Sequence, residues 1–127
     1  MLKPIPARML KDSVVLQVPT GADRWGHDTF EEYRISNVHL QADNKTTITV
    51  RNTEVTLTGV LFIDCKRSNP KYNIEELQEK SQNAGSTMRA IVYNAQGRKT
   101  GDFRVIAVDG LPDVPATRTH HYELLLV

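Results

Sequence analysis

The stretch "EVTLTGVLFID", residues 54–64, decides the fold prediction. It alternates at its start, where Val55 and Leu57 are separated by threonine, and is then apolar on both faces over residues 60–63. A half-buried strand alternates with period two, and a strand that passes into the middle of a closed sheet is apolar on both faces. Gly59 lies at the change of pattern, where a bend or bulge is expected. The stretch therefore predicts a long strand that enters a buried sheet.

Alternation of period two recurs along the rest of the chain, together with many β-branched residues, and both features are typical of strands. Turn residues separate the alternating segments, which number about seven. The sequence therefore predicts a mainly β fold: a small antiparallel β-barrel or sandwich of about seven strands with one short surface helix. Besides residues 54–64, the candidate strands are "DSVVLQV" (12–18), "YRISNVHLQ" (33–41), "KTTITVRN" (45–52), "STMRAIVYN" (86–94), "DFRVIAV" (102–108) and "HHYELLLV" (120–127).

The predicted helix is "NIEELQEKSQNAG", residues 73–85. Asn73 can cap its first turn, Glu76 follows three residues later as in a capping box, and Gly85 can end it. Its apolar stripe is thin, which favours a single helix lying on the surface of the sheet. The stripe consists of Ile74, Leu77 and Ser81.

Length and charge limit the classes of function. The 127 residues fit one β-barrel domain over 1–127, in which residues 1–11, interrupted by Pro4 and Pro6, form a flexible N-terminal arm. With 16 Lys plus Arg against 15 Asp plus Glu, the charges produce no broad field for phosphate or membrane surfaces. No apolar run approaches the ~18 residues of a membrane span. We expect a protein of the cytoplasm without membrane contact.

The terminal stretch "THHYELLLV", residues 119–127, contains two adjacent histidines that could form a metal site or a catalytic pair. Neighbouring side chains of a strand point to opposite faces, so we expect His120 and His121 to diverge and not to hold one metal ion. His27 and His39 lie in no metal-ligand spacing with them. We expect no metal, no cofactor and no catalytic residue, and thus no enzyme, although a hydrolase or metal enzyme outside these motifs is a further alternative.

Cys65 is the only cysteine, so no disulfide can form within the chain. A thiol without an activating neighbour is more often a buried filler than a nucleophile. The following loop, "KRSNPKY", places Lys66, Arg67 and Lys71 near Tyr72. Basic residues interleaved with aromatic ones are typical of single-stranded nucleic-acid-binding barrels of the oligonucleotide-binding type. Binding of single-stranded nucleic acid is therefore the alternative function. An ordinary solvated loop would explain the same residues without any binding role.

The order of four segments resembles a known family. They are "GADRWGHDTFEEYRISNVHL" (21–40), "VLFIDCK" (60–66), "GDFRVIAVDGL" (101–111) and the terminal "THHYELLLV". From about Lys11 to Val127 the chain resembles the minor capsid protein family of tailed phages that infect Gram-positive bacteria. That family in turn resembles head–tail connector proteins called stoppers or head-completion proteins. The stretch "NAQGRKTGDF" departs from the family in being longer than a tight turn.

The resemblance implies a structural virion protein of a phage or prophage. Its subunits would form a homo-oligomeric ring at the head–tail junction, below the portal and adaptor and above the tail-completion protein. That ring would close the DNA channel, touch the packaged double-stranded DNA without sequence preference and dock the tail. Until assembly the protein would reside in the host cytoplasm.

Polar and projecting segments are the expected contact sites. Lys45 and Arg51, in the polar stretch 42–53, are the candidate DNA-channel residues, and a solvent-exposed hairpin is the alternative. For Trp25 the favoured interpretation is a lid over the sheet, with a subunit contact as the second. The candidate subunit or partner contacts are Pro4, Pro6, Trp25, Leu111 and Val114.

Overall fold

The computed structural model describes residues 3–50, 53–114 and 118–127, and the side chains of residues 3–41, 58–114 and 118–127. A 3₁₀ turn at Ala7–Met9 precedes the first strand. The elements that follow are β1 (Asp12–Ala22), β2 (Asp28–Val50), β3 (Thr53–Asp64), α1 (Ile74–Asn83), β4 (Arg89–Tyr93), β5 (Lys99–Pro112) and β6 (Thr119–Leu126). Over these residues no helix is both long and apolar enough to span a bilayer.

The strands form one antiparallel sheet that rings round on itself in the order β1-β2-β3-β6-β5-β4, and β4 pairs back onto β1. The predicted mainly β fold with one α-helix is confirmed. The described residues form six strands, because two predicted strands, 33–41 and 45–52, fall largely within the single strand β2.

β2 changes its partner part-way along its length. Its first half pairs with β1, and from Val38 onward it pairs with β3. At the change, Asn37 has a φ of 60° and is skipped in the pairing with β1, whose Asp12 and Ser13 pair with Val38 and Ser36. An extra residue of this kind bends a strand. β2 therefore follows the ring in its middle and leaves it at both ends.

Two two-stranded ribbons extend from the ring. In the first ribbon, residues 19–22 of β1 pair with residues 28–30 of β2, beyond the last β1 residue that pairs with β4. In the second ribbon, Thr46–Val50 of β2 pair with Thr53–Leu57 of β3, beyond the β3 residues that pair with β6. Among the described strands, each strand of a ribbon is thus paired along one edge only, with the other strand of that ribbon.

The predicted irregularity near Gly59 is present in the pairing. Gly59 pairs with both Ala42 and Leu126, and the next β2–β3 pair is Thr46 with Leu57. Three β2 residues therefore lie opposite one β3 residue. The irregularity separates the second ribbon from the part of β3 that belongs to the ring.

The core contains the residues that period-two alternation selects. On β1, Val14, Leu16 and Val18 are fully buried, and on β6 Leu124 and Leu126 are fully buried. They belong to one cluster with residues of every strand and of the helix. Burying this apolar surface is the main stabilising contribution to the ring.

The helix has the predicted cap and the predicted stripe. The side chain of Asn73 accepts a hydrogen bond from Glu76 N at 3.3 Å, and Gly85, with a φ of 73°, follows the last turn. The stripe residues Ile74, Leu77 and Ser81 are the buried residues of α1. Since the two apolar ones belong to the core cluster, α1 lies on the sheet and covers part of the core.

Candidate functional site

The loop at the tip of the first ribbon is held by one carboxylate. Asp23 Oδ1 accepts hydrogen bonds from Trp25 N and His27 N, both at 2.9 Å, and Asp23 O accepts one from Gly26 N. Gly26 has a φ of 80°, which glycine adopts without steric cost. These bonds define the backbone of the loop without using any large side chain.

Trp25 does not cover the sheet, so the favoured interpretation of a lid is wrong. Its side chain is 68% exposed and makes a cation–π contact with Arg24, whose guanidinium carbon lies 4.2 Å from the ring centroid. The reason is positional, because the loop lies past the last β1 residue paired to β4 and has no sheet beneath it. Phe30, on the same ribbon, is 52% exposed.

The exposed aromatic residues make the first ribbon a candidate contact surface. Trp25 and Phe30 are the two most exposed aromatic side chains among the described residues. Aromatic residues are enriched at the centres of protein interfaces, and tryptophan most often carries the binding energy. Phe30 was not singled out from the sequence, where its place in "DTFEEY" resembles an ordinary strand position.

Of the two candidate DNA-channel residues, the structure describes the backbone of one. Lys45 lies in β2, at the irregularity next to the second ribbon. Arg51 lies outside the described residues. Their assignment to the channel stays a prediction.

The other candidate contact residues lie on two neighbouring segments. Val114 follows β5 and is 56% exposed, and Pro6 is exposed. Leu111, paired with His121, and Pro4 are half-buried. Pro4 borders a surface cavity of about 340 Å³ together with His120. The N-terminal segment and the start of β6 therefore lie side by side.

The histidine pair differs from the sequence prediction. His120 and His121 do not diverge, because their Nδ1 atoms lie 2.8 Å apart and their rings stand at 83°. The cause is an irregularity between β5 and β6, where Leu111 pairs with His121 and the next residue, Pro112, pairs with Thr119. His120 is thus the extra residue of a bulge, and a bulge re-aims a side chain.

Each histidine has a second partner at its other ring nitrogen. His120 Nε2 lies 2.6 Å from the carbonyl oxygen of Lys3, and His121 Nε2 lies 3.3 Å from Glu123 Oε1. The His121 side chain is 18% exposed. The pair therefore joins the N-terminal segment to the start of β6.

Asp64, which sequence reasoning missed, organises the same end of the molecule. It is buried, and its carboxylate accepts hydrogen bonds from Ile5 N at 3.2 Å, Lys66 N at 3.1 Å and Arg67 N at 2.8 Å. Aspartate that follows a strand often bonds to backbone N–H groups two or three residues on. That tendency was the available signal for the turn, whereas the bond to Ile5 spans 59 residues and has no local signature.

Cys65 is half-buried against the core. Burial, and then the neighbouring Asp64 carboxylate, raise the pKa of its thiol to about 11. A thiol with so high a pKa stays protonated at neutral pH and is a poor nucleophile. This agrees with a filler role.

The basic loop presents its charge to solvent. Lys66, Arg67 and Lys71 are exposed, and Lys71 Nζ also donates to the carbonyl oxygens of Lys66 and Ser68. Tyr72 is 37% exposed, and its ring meets that of Tyr33 edge-on, with centroids 5.0 Å apart. One side of the tyrosine is therefore occupied by the protein itself.

Over the described parts of the chain, no group of three or more His, Cys, Asp or Glu residues is placed to hold a metal ion. No family model matches this chain, and no curated protein or solved structure does either. The ribbons, the histidine pair and the basic loop are therefore the features from which a function is inferred.

Proposed function

We propose that this chain is a structural protein of a tailed-phage or prophage virion, a head–tail connector of the stopper or head-completion type. Its subunits form a ring below the portal and adaptor, close the DNA channel after packaging and provide the surface on which the tail docks. The proposal depends on one observation: a closed β core from which two β-ribbons extend.

The length of β2 supports a role outside the core. Its 23 residues would extend over ~75 Å at ~3.3 Å per residue, whereas a domain of this size is only ~35 Å across. A strand needed only for the core would be far shorter. The two ends of β2 therefore serve purposes other than closing the sheet.

The physical chemistry of the ribbons supports contacts with other proteins. An isolated two-stranded ribbon is at best marginally stable in water, and its unpaired edges can accept another strand. The first ribbon also exposes Trp25 and Phe30. Neighbouring ring subunits, the adaptor above or the tail-completion protein below would cover these groups.

The second ribbon, which begins beside Lys45, is the proposed channel-facing element, and Arg51 directly follows Val50 of this ribbon in the sequence. Two cations per subunit, repeated around a ring, would meet phosphate groups without sequence preference. The chain's near-zero net charge limits this attraction, so the DNA is not immobilised during passage.

The test is deletion of the gene from a phage that carries it, with wild-type and variant copies supplied in trans. A connector predicts heads that package DNA and then lose it, together with unattached tails. We expect the double variant Trp25→Ser/Phe30→Ser to reproduce this defect, and Gln96→Ser, in the exposed β4–β5 turn, to restore infectivity. Normal infectious particles from the deletion would reject the proposal.

A second candidate function is binding of single-stranded nucleic acid. The specific observation is the exposed basic loop beside Tyr72. This function predicts binding of a labelled oligonucleotide that weakens steeply with added salt and is reduced in Lys66→Gln/Arg67→Gln. Fluorescence anisotropy measures it, with Lys80→Gln as the control because Lys80 is paired with Glu31.

A further inference from the structure

Each ring nitrogen of the histidine pair faces a polar partner. The Lys3 carbonyl and the Glu123 carboxylate accept hydrogen bonds, which favours the tautomer with the hydrogen on Nε2 in both rings. In neutral imidazole the other nitrogen, Nδ1, then carries none. With both rings in this tautomer, the two Nδ1 lone pairs lie 2.8 Å apart and are free to share one ligand.

We propose that His120 and His121 form a binding site for a divalent transition-metal ion, which their two Nδ1 atoms coordinate. The inference is independent of the connector role. It reverses the expectation from strand alternation, since the bulge at His120 brings both rings to one point.

The spacing of the nitrogens fits coordination. Two nitrogens at ~2.0 Å from an ion and at right angles to each other are ~2.8 Å apart, as in cis positions of tetragonal Ni²⁺ or Cu²⁺. Tetrahedral Zn²⁺ needs ~3.3 Å between its ligands, so the rings would move apart by ~0.5 Å. Imidazole nitrogen is a poor ligand for Mg²⁺ and Ca²⁺, which prefer oxygen.

The outer partners also fit a metal site. Metal-bound histidine usually donates its other N–H to a backbone carbonyl or a carboxylate, which orients the ring and raises its basicity. His120 has the carbonyl of Lys3, and His121 has the carboxylate of Glu123. His120, though not His121, borders a cavity of about 340 Å³, so water ligands would reach the ion from the side of His120.

The charged neighbours of the pair come from several segments. Lys66, Lys71 and Arg118 border the same cavity as His120, and so do Asp64 and Asp113. Glu123 faces His121 from within β6. Three cations and two carboxylates therefore border the cavity beside His120, and Glu123 adds a third carboxylate beside His121, so the local field does not exclude a divalent ion.

The experiment is isothermal titration of untagged protein with Ni²⁺ and with Zn²⁺ near pH 7.5. We expect one ion per chain, tighter binding of Ni²⁺ than of Zn²⁺, and no binding of Mg²⁺. His120→Gln and His121→Gln should each weaken binding at least tenfold. His27→Gln, which changes an exposed histidine on the first ribbon, should weaken it less than twofold.

Two further measurements test the metal site even if the histidine variants fail to fold. In the wild-type protein, Ni²⁺ should slow modification of His120 and His121 by diethyl pyrocarbonate but not that of His27, as read by peptide mass spectrometry. Glu123→Gln should weaken binding by about 10- to 100-fold by removing the carboxylate behind His121.

The alternative occupant of the pair is a single proton. In that case one Nδ1 donates a hydrogen bond to the other, Ni²⁺ and Zn²⁺ give no titration signal, and neither protects the rings. That result would overturn the proposal, and so would binding that the His120 and His121 variants retain in full.

Discussion

β1 and β2 contribute both to the closed core and to the first ribbon. Their apolar side chains are buried in the core, whereas the large apolar side chains of the ribbon and its loop are exposed. Within the ring, Val14 and Leu16 of β1 are fully buried. A few residues further on, Trp25 and Phe30 are more than half exposed. The difference is one of pairing, since β4 covers β1 only as far as Gln17. Stability is thus concentrated in the ring, and surface for contacts in the ribbons.

The largest expected effect is a loss of core volume. Leu124→Ala removes a fully buried side chain, and we expect the free energy of unfolding to fall by about 2–5 kcal/mol. Urea denaturation followed by circular dichroism measures it. The control Val114→Ala, at an exposed position, should change the value by less than ~0.5 kcal/mol. Equal effects of the two variants would contradict the division between core and contact surface.

The second largest effect on stability is expected at Asp64, which joins the N-terminal segment to the ring. Asp64→Ala leaves Ile5 N, Lys66 N and Arg67 N without their acceptor, and we expect a loss of about 1–3 kcal/mol. Hydrogen exchange should also accelerate at the Ile5 amide.

The matched control for Asp64 is Asp109→Ala, which removes an exposed carboxylate from β5. We expect it to leave both the unfolding free energy and the Ile5 exchange rate unchanged. If Asp64→Ala leaves the exchange of Ile5 as slow as in the wild type, the arm is held by other contacts.

The sequence predicted correctly those features that depend on a single strand or a single helix. Alternation selected the buried faces of β1 and β6, and the capping pattern selected Asn73 and the buried helix stripe. These features depend on residues close together in the chain and on a single period, which is 2 for strands and about 3.6 for the helix.

Features that depend on two segments could not be predicted in this way. The approach of His120 to His121 arises from the register between β5 and β6, and the period of one strand contains no register. Trp25 is exposed because of where β4 stops. The bond between Asp64 and Ile5 joins residues 59 positions apart. In each case the missing information is tertiary.

A smaller effect should be seen at alkaline pH through Cys65. The folded protein holds the pKa of this thiol at about 11, against 9.0 for an exposed one. Because the unfolded chain loses this proton first, the thiol's contribution to stability is complete below pH 9 and is lost as the pH rises toward 11. The unfolding free energy of the wild type should therefore fall more over this range than that of Cys65→Ala.

The comparison of the two proteins is needed because burial also raises the pKa of Tyr122, which gives the wild type a second alkaline loss of the same sign. Subtracting the two pH profiles largely removes the tyrosine contribution. Parallel profiles would show that the Cys65 thiol is as accessible to water in the folded chain as in the unfolded one.

The smallest expected change in stability is at the tip of the first ribbon. Trp25→Ser removes a large side chain that buries little surface and contacts the Arg24 guanidinium in solvent, so the unfolding free energy should stay within ~0.5 kcal/mol of the wild type. The same substitution should impair virion assembly, because an exposed tryptophan at an interface can supply much of the binding energy. Thermal unfolding of the purified variant, measured beside phage titre, separates the two effects. A stability loss as large as that of Leu124→Ala would mean that Trp25 belongs to the core after all, and unchanged titre would remove the first ribbon from the proposed contacts.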